Sequence, residues 1–361
     1  MSAEPDVAPA EATLPGGGGR GVAQAVLGAA RTLTRGRYTG VLIGLIAVCI
    51  YLSLTEPIFL DWANWENIIR TESVVLTLGI GMTFVVLTGG IDLSIASATV
   101  AAGMILGIAI EHGASWWLAC LACLGFGLLL GLVNGIGIGV LKIPFFVFTL
   151  GTLSIYQSIA LLTTNGATIS LFLFPRFNEI QKIANGTIGP FPTILLILVA
   201  MYLIGSFVLH FTAFGRSIYA VGSNVEAARL TGVKVTLVLV SVYTISGMTA
   251  GLGAIVQTGR LTGAGPQVDP NLLLTVIAAV LIGGTAFTGG DGGLLGTAIG
   301  GLFLGVIQNG LQLSNVSTFW QGTVSGLILI CAVGLGVLRH SNARMWLARR
   351  RRARAGSEES A

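Results

Sequence analysis

Residues 116–141, WWLACLACLGFGLLLGLVNGIGIGVL, contain no charged side chain and place glycine at 127, 131, 135 and 139. A run of about 20 apolar residues is long enough to cross the hydrocarbon core of a bilayer as a helix. Glycines four apart share one helix face, where they let a neighbouring backbone approach closely. The stretch therefore reads as a membrane helix built for tight packing.

Working outward, the rest of the chain follows the same pattern. Only 9% of its 361 residues are charged and 53% are hydrophobic, against about 25% charged in a soluble domain. The termini, 1–37 and 339–361, hold 16 of the 34 charges, which leaves 18 for the 301 residues between Tyr38 and Leu338. Lipid must be the outer solvent of that middle part. The expected fold is an all-α polytopic membrane protein with about ten transmembrane helices. The expected spans are 38–54, 68–87, 93–110, 116–141, 145–163, 194–211, 237–256, 272–287, 294–313 and 319–338. Eight or nine spans result if the short seams at 89–92 and 289–293 break one re-entrant segment instead of separating two.

Residues 1–37, with Pro5, Pro9, Pro15 and glycines at 16–19, read as a disordered cytoplasmic tail and not as a cleavable signal. Residues 339–361 read as a basic cytoplasmic tail, with Arg349, Arg350, Arg351, Arg352 and Arg354 held at an anionic membrane face. That placement argues against nucleic acid as a partner, despite the net charge of +4. With both termini inside, 15 of the 19 Lys/Arg fall on the cytoplasmic side, leaving Arg70, Arg176, Lys182 and Arg260 outside. The transmembrane middle, 38–338, carries one long polar inside loop, 212–235.

A weak internal duplication is visible. LTGGIDLSIASATVAAGMILGI, around Thr88, resembles FTGGDGGLLGTAIGGLFLGVI, around Thr288. Each is followed later by Asn-Gly (Asn134, Asn309) and an aromatic pair (Phe145–Phe146, Phe319–Trp320). Such repeats are common in transporters. Asp92 and Asp291 follow the matching Thr-Gly-Gly tracts and read as turn residues at structural seams.

Sites for catalysis are poorly supported. The histidines at 112, 210 and 340 fall at span ends, and neither a zinc-protease His-Glu-x-x-His nor a Gly-x-Ser-x-Gly elbow occurs. Cys120 and Cys123 form a CxxC with no second ligand pair, so no metal is expected. Lys142, Lys182 and Lys234 follow Leu141, Gln181 and Val233, which excludes a phosphate-binding Gly-Lys-Ser/Thr loop. No carboxylate reads as lying mid-span, where ion-coupled carriers usually place ionisable groups. No cofactor is therefore expected on this chain, and any energy for pumping has to come from elsewhere.

The inside loop TAFGRSIYAVGSNVEAARLTGVKV, 212–235, contains a short helix-forming Glu226-Ala227-Ala228 core ended by Gly232. Here the chain resembles the permease subunit of bacterial ABC importers, in the branch that moves simple sugars such as ribose, xylose and galactose. Five stretches carry the resemblance in order: TGGIDLSIAS, IPFFVFTLGTLSIYQSIALLTTNG, FGRSIYAVGSNVEAARLTGVKV, IAAVLIGGTAFTGGDGGLLGTAIG and GVIQNGLQLSNVSTFWQGTVSGLILI. The resemblance implies a core of two permeases, a second copy or a paralogue, driven by a separate ATP-binding-cassette ATPase that uses ATP and Mg. It also implies an extracytoplasmic sugar-binding protein. Its Glu-Ala-Ala loop docks on the ATPase, which carries over to Gly222, Asn224, Glu226, Ala227, Ala228 and Gly232. The fuller importer loop continues to Ile-x-Leu-Pro, whereas here Gly232 is followed by VKVTLVLVSVY.

A neutral, hydroxyl-rich solute needs hydrogen-bonding side chains along its path. The candidates are Asn134, Gln157, Asn165 and Asn309, within a wider polar set that includes Gln308, with Phe145, Phe146, Phe319 and Trp320 as constrictions. Interhelical hydrogen bonding is the plainer role for any one of the polar residues. An ion-coupled carrier or a passive channel for small polar solutes is the competing class.

Overall fold

The computed structural model describes residues 38–317 and, beyond them, 320, 322–324, 326–327, 330 and 334. Phe319, most of the expected 319–338 span and both tails lie outside the described residues.

Five helices come first. They are α1 (Thr39–Thr55), α2 (Trp62–Leu87), α3 (Ile95–Glu111), α4 (Trp116–Gly135) and α5 (Phe145–Leu162). A π-helical turn, Ile136–Val140, extends α4, and Lys142 just beyond it has a positive φ of 57°. The 163–192 connection holds α6 (Asn178–Asn185), strand β1 (Ile169–Ser170) and the hairpin β2 (Thr187–Ile188) with β3 (Phe191–Pro192). Then come α7 (Thr193–Phe211), α8 (Ala213–Ser223), α9 (Val225–Leu230) and α10 (Val235–Leu261). Strand β4 (Gly263–Ala264) leads to α11 (Pro270–Ile282) and α12 (Leu294–Leu313). β1 and β4 pair antiparallel through Ile169–Ala264 and Ser170–Gly263, tying the 163–192 connection to the α10–α11 linker.

Six of these helices are long and apolar enough to cross a membrane. The apolar helices α1, α3 and α11 are shorter, at 17, 17 and 13 residues. The architecture is thus all-α and polytopic, while helix length alone supports fewer full crossings than the ten expected. Several boundaries also move. α2 begins at Trp62, so Arg70, at the outer edge of the expected 68–87 span, lies eight residues into a helix, and α10 runs to Leu261, which puts Arg260 inside a helix instead of in an outer loop. The earlier start also moves Glu72, near the outer end of the expected 68–87 span, ten residues into α2, where it is buried to 3% exposure. The expectation of no carboxylate within a span is therefore corrected. A polar lead such as WANWEN can still be helical where it packs against protein.

α2 is the central helix, with 83% of its apolar window buried, and α4, α5 and α7 are peripheral. Leu203, Ile204 and Phe207 of α7 are exposed, as a lipid-facing surface requires. Between α4 and α10 the backbones touch. A Cβ on Gly131 would lie 2.4 Å from the Tyr243 carbonyl oxygen and 2.8 Å from Gly247 Cα, and one on Gly127 would lie 2.5 Å from the Gly247 oxygen. The glycine ladder of the opening stretch is the face that meets α10.

Gly125, on the same helix, has nothing within 4 Å of such a Cβ. Gly131→Leu is therefore expected to destabilise the detergent-solubilised chain by roughly 1–3 kcal/mol or more through overpacking. Gly125→Leu is expected to be near neutral. Paired thermal-denaturation curves check the contrast.

Candidate functional site

The 212–235 loop folds into two short helices, α8 and α9. Thr212 caps α8 by accepting from the Gly215 N–H at 3.1 Å, and Asn224 caps α9 by accepting from the Ala227 N–H at 3.0 Å. α9 ends in a Schellman arrangement: Gly232 N–H donates to the Arg229 oxygen and Val233 N–H to the Ala228 oxygen, with Gly232 at φ +86°. Ala228 is buried beneath the loop, while Glu226 and Arg229 pair at 2.8 Å on its exposed face. Leu230 stands 88% exposed beside them.

Gly222 connects this loop to the bundle. A Cβ there would lie 1.9 Å from the Leu87 oxygen and 2.4 Å from the Gly290 nitrogen. Gly290 N–H itself donates to the Leu87 oxygen at 2.9 Å. The two Thr-Gly-Gly tracts, some two hundred residues apart in the chain, thus meet each other and the end of α8 at one point.

The two seam aspartates differ. Asp92 is buried and accepts from Ser94 N–H at 3.0 Å, Ser94 Oγ at 2.6 Å, Ser246 Oγ at 2.7 Å and Asn134 Nδ2 at 3.4 Å. Asp291 is exposed, and its carbonyl oxygen accepts from the Ala286 N–H at 2.7 Å.

Toward the opposite end of the same helices lies a polar cavity of about 300 Å³, bounded by α2, α10, α11 and α12. Thr71, Glu72, Gln257, Arg260, Asp269 and Gln308 contribute its polar wall. Glu72 Oε2 and Arg260 Nε are buried without a hydrogen-bond partner, and the two charges act on each other electrostatically. Gly305 makes the room: a Cβ there would lie 2.3 Å from Glu72 Cγ.

Residues 64–333 match a family model described as branched-chain amino acid transport system, permease component. The chain belongs to this permease family. The ribose import permease protein of Bacillus subtilis is 35% identical over 294 residues, covering 81% of this chain and 91% of that protein. The D-allose transport system permease protein of Escherichia coli is 35% identical over 294 residues, 80% and 88% of the two chains. An autoinducer 2 import system permease protein of Salmonella typhi is 32% identical over 296 residues, 80% and 82%. No solved structure matches. The permease is a multi-pass protein of the bacterial inner membrane.

Within the permease, the residues singled out in the sequence fall in different places. Asn134 lies in the bundle interior, donating to Ser94 Oγ and accepting from Thr152 Oγ1 at 2.8 Å and Tyr156 OH at 3.2 Å. Asn309 exchanges amide hydrogen bonds with Asn64 at 2.7 and 3.1 Å. Gln157 donates to the Pro266 oxygen in the α10–α11 linker. Asn165 sits in an exposed turn at φ 50°. Phe145 is half-buried near the loop, and Phe146 and Trp320 are exposed. None of these lines the polar cavity; Gln308, from the wider polar set, does. Glu72 and Arg260 were missed because each reads as an isolated charge near a span end. Only the tertiary packing places them on one cavity.

Because Gly222 abuts backbone atoms that cannot rotate away, Gly222→Ala is expected to lift α8 from the seams. Limited trypsinolysis of the full chain should then cut faster at Arg216 than in wild type. Gly232→Asn, at an open positive-φ position that asparagine tolerates, is expected to leave the cleavage pattern unchanged.

Proposed function

We propose that this chain is the translocating subunit of an importer for a simple sugar, a pentose, hexose or similar polyol, powered by a separate ATPase. The observation that carries the reading is the match, over four fifths of this chain, to permeases named for ribose and D-allose import. In this reading ten spans cross the membrane, both tails and the 212–235 loop face the cytoplasm, and a second permease copy or a paralogue completes the core. An extracytoplasmic binding protein delivers the sugar. The partner ATPase binds ATP and Mg, and it docks on α9 through the Glu226–Arg229 face and Leu230, with Gly222, Asn224, Ala227, Ala228 and Gly232 shaping that face.

The geometry gives such docking a mechanical route. Force on α9 passes through the one-residue junction at Asn224 into α8, and from Gly222 into both glycine seams at once. Movement there changes the ends of α2 and α12 together, which is what switching between inward- and outward-open states demands. Asp92 and Asn134 hold the first seam to α4, α5 and α10, so the seam cannot move without them.

The family model's description favours a second reading, a branched-chain amino acid as cargo. A carboxylate and a guanidinium on one cavity also suit a zwitterion. Uptake separates the two. Cells carrying the permease with its ATPase and binding protein are expected to accumulate labelled D-ribose or D-allose in an ATP-dependent manner, unaffected by excess L-leucine. Accumulation of L-leucine instead would favour the second reading, and uptake driven by an ion gradient without ATP would favour a secondary carrier.

The purified chain alone is expected to hydrolyse no ATP. Leu230→Asp, which places a charge on an 88% exposed position, is expected to cut co-purification of the ATPase at least about tenfold without altering the thermal stability of the permease.

A further inference from the structure

The polar cavity at the far end of α2 and α10 has no part in the docking route, and its chemistry is unusual for a membrane interior. Glu72 lies ten residues into α2, roughly 15 Å along the helix from Trp62. It is 97% buried by accessible surface, at 3% exposure. A charged side chain at such depth costs several kcal/mol unless it faces a partner or a hydrated cavity. Glu72 accepts no hydrogen bond at Oε2, and Arg260 donates none from Nε. Glu72 and Arg260 attract each other electrostatically but form no ion pair among the described residues, and Asp269 adds a second carboxylate to the same wall. A stabilising pair would close; this one stands open around about 300 Å³.

That volume is at the small end of the range for small-molecule sites, about 300–1,000 Å³. The wall carries both acceptors and donors. Glu72 and Asp269 accept, Arg260 donates, and Gln257, Gln308 and Thr71 do both. The excess of carboxylates over guanidinium disfavours an anionic solute. Among the described lining residues the apolar contributors are Val74, Val75 and Leu272, with no aromatic floor for a branched aliphatic side chain. A small neutral molecule bearing several hydroxyl groups satisfies this wall, since each hydroxyl both donates and accepts.

Resting on the import reading above, we propose that this cavity is a sugar-binding station on the translocation path, with Glu72 and Arg260 as its orienting residues. A sugar hydroxyl donates to Glu72 Oε2, and a second sugar oxygen accepts from the Arg260 guanidinium. Gly305 sets the position of Glu72, because any side chain there displaces the carboxylate from the wall.

The test reads the cavity directly. In the full chain with its four native cysteines replaced by alanine, Thr71→Cys places a thiol on the wall. Its modification by a membrane-impermeant methanethiosulfonate is followed in membranes, with and without 100 mM of each member of a panel. The panel comprises D-ribose, D-xylose, D-galactose, D-allose, ribitol and L-leucine. At least one sugar or polyol is expected to slow labelling at least fivefold. Adding Glu72→Leu or Arg260→Leu should abolish that protection while the thiol stays reactive, and Gly305→Ala should weaken it. Glu72→Gln, which keeps hydrogen-bonding capacity, should retain part of it and guards against a merely misfolded variant. Protection by no panel member, protection by L-leucine alone, or protection that survives the loss of both charged side chains overturns the proposal. Each of these results leaves the uptake measurement standing, so failure of the station is distinct from failure of the import reading.

Discussion

The close approach of backbones without intervening side chains is the constraint on which the rest of this structure depends. Lipid tails are as apolar as leucine, so helices in a bilayer gain little from hiding apolar surface from one another. Contact area and hydrogen bonds must supply the cohesion instead. The face of α4 bearing Gly127 and Gly131 achieves this against Gly247 and Gly251 of α10, and Gly81 of α2 meets Ser246 and Thr249 from another side. α10 is thereby clamped between two helices. The same principle reappears at the bundle end, where Gly222 fits between Leu87 and Gly290.

In the proposed reading these contacts make α2 and α10 rigid levers with a role at each end. At one end lie the seams, the loop and the Asp92 network; at the other lies the cavity with Glu72 and Arg260. Packed interfaces of this kind shift between discrete arrangements instead of deforming continuously. In the proposed mechanism a displacement introduced at Gly222 travels along the helix axes and alters the distance between two cavity walls. Asp92 serves as a tie at the driven end. Its hydrogen bonds to Ser94, Ser246 and Asn134 come from three different segments, and removing any one leaves a buried carboxylate short of donors.

Much of the architecture was legible in the sequence because hydropathy and glycine spacing are local signals. Nine of the expected spans correspond to helices among the described residues, and the Glu-Ala-Ala loop folds with the Gly232 cap that its sequence suggests. The site was less legible. A window of about 20 residues averages one carboxylate away, so Glu72 left no mark, and its relation to Arg260 and Gly305 exists only across helices distant in the chain. The duplicated motifs diverge in their packing: Asp92 and Asp291 both lie at seams between helices, yet one is buried in a hydrogen-bond network and the other is exposed. Local similarity does not fix what packs above a turn.

The central claim is that the loop and the two glycine seams move as one body when the partner ATPase closes. Spin labels at Glu226→Cys on α9 and Thr288→Cys on the second seam, both exposed positions, report this in the assembled complex. The distance between them should be the same in nucleotide-free and ATP-bound states, while distances from Thr288 to the far end of α2 change. A shift of the Glu226–Thr288 distance by about one helical turn, ~5 Å, would show the loop sliding over the seams and would contradict the account.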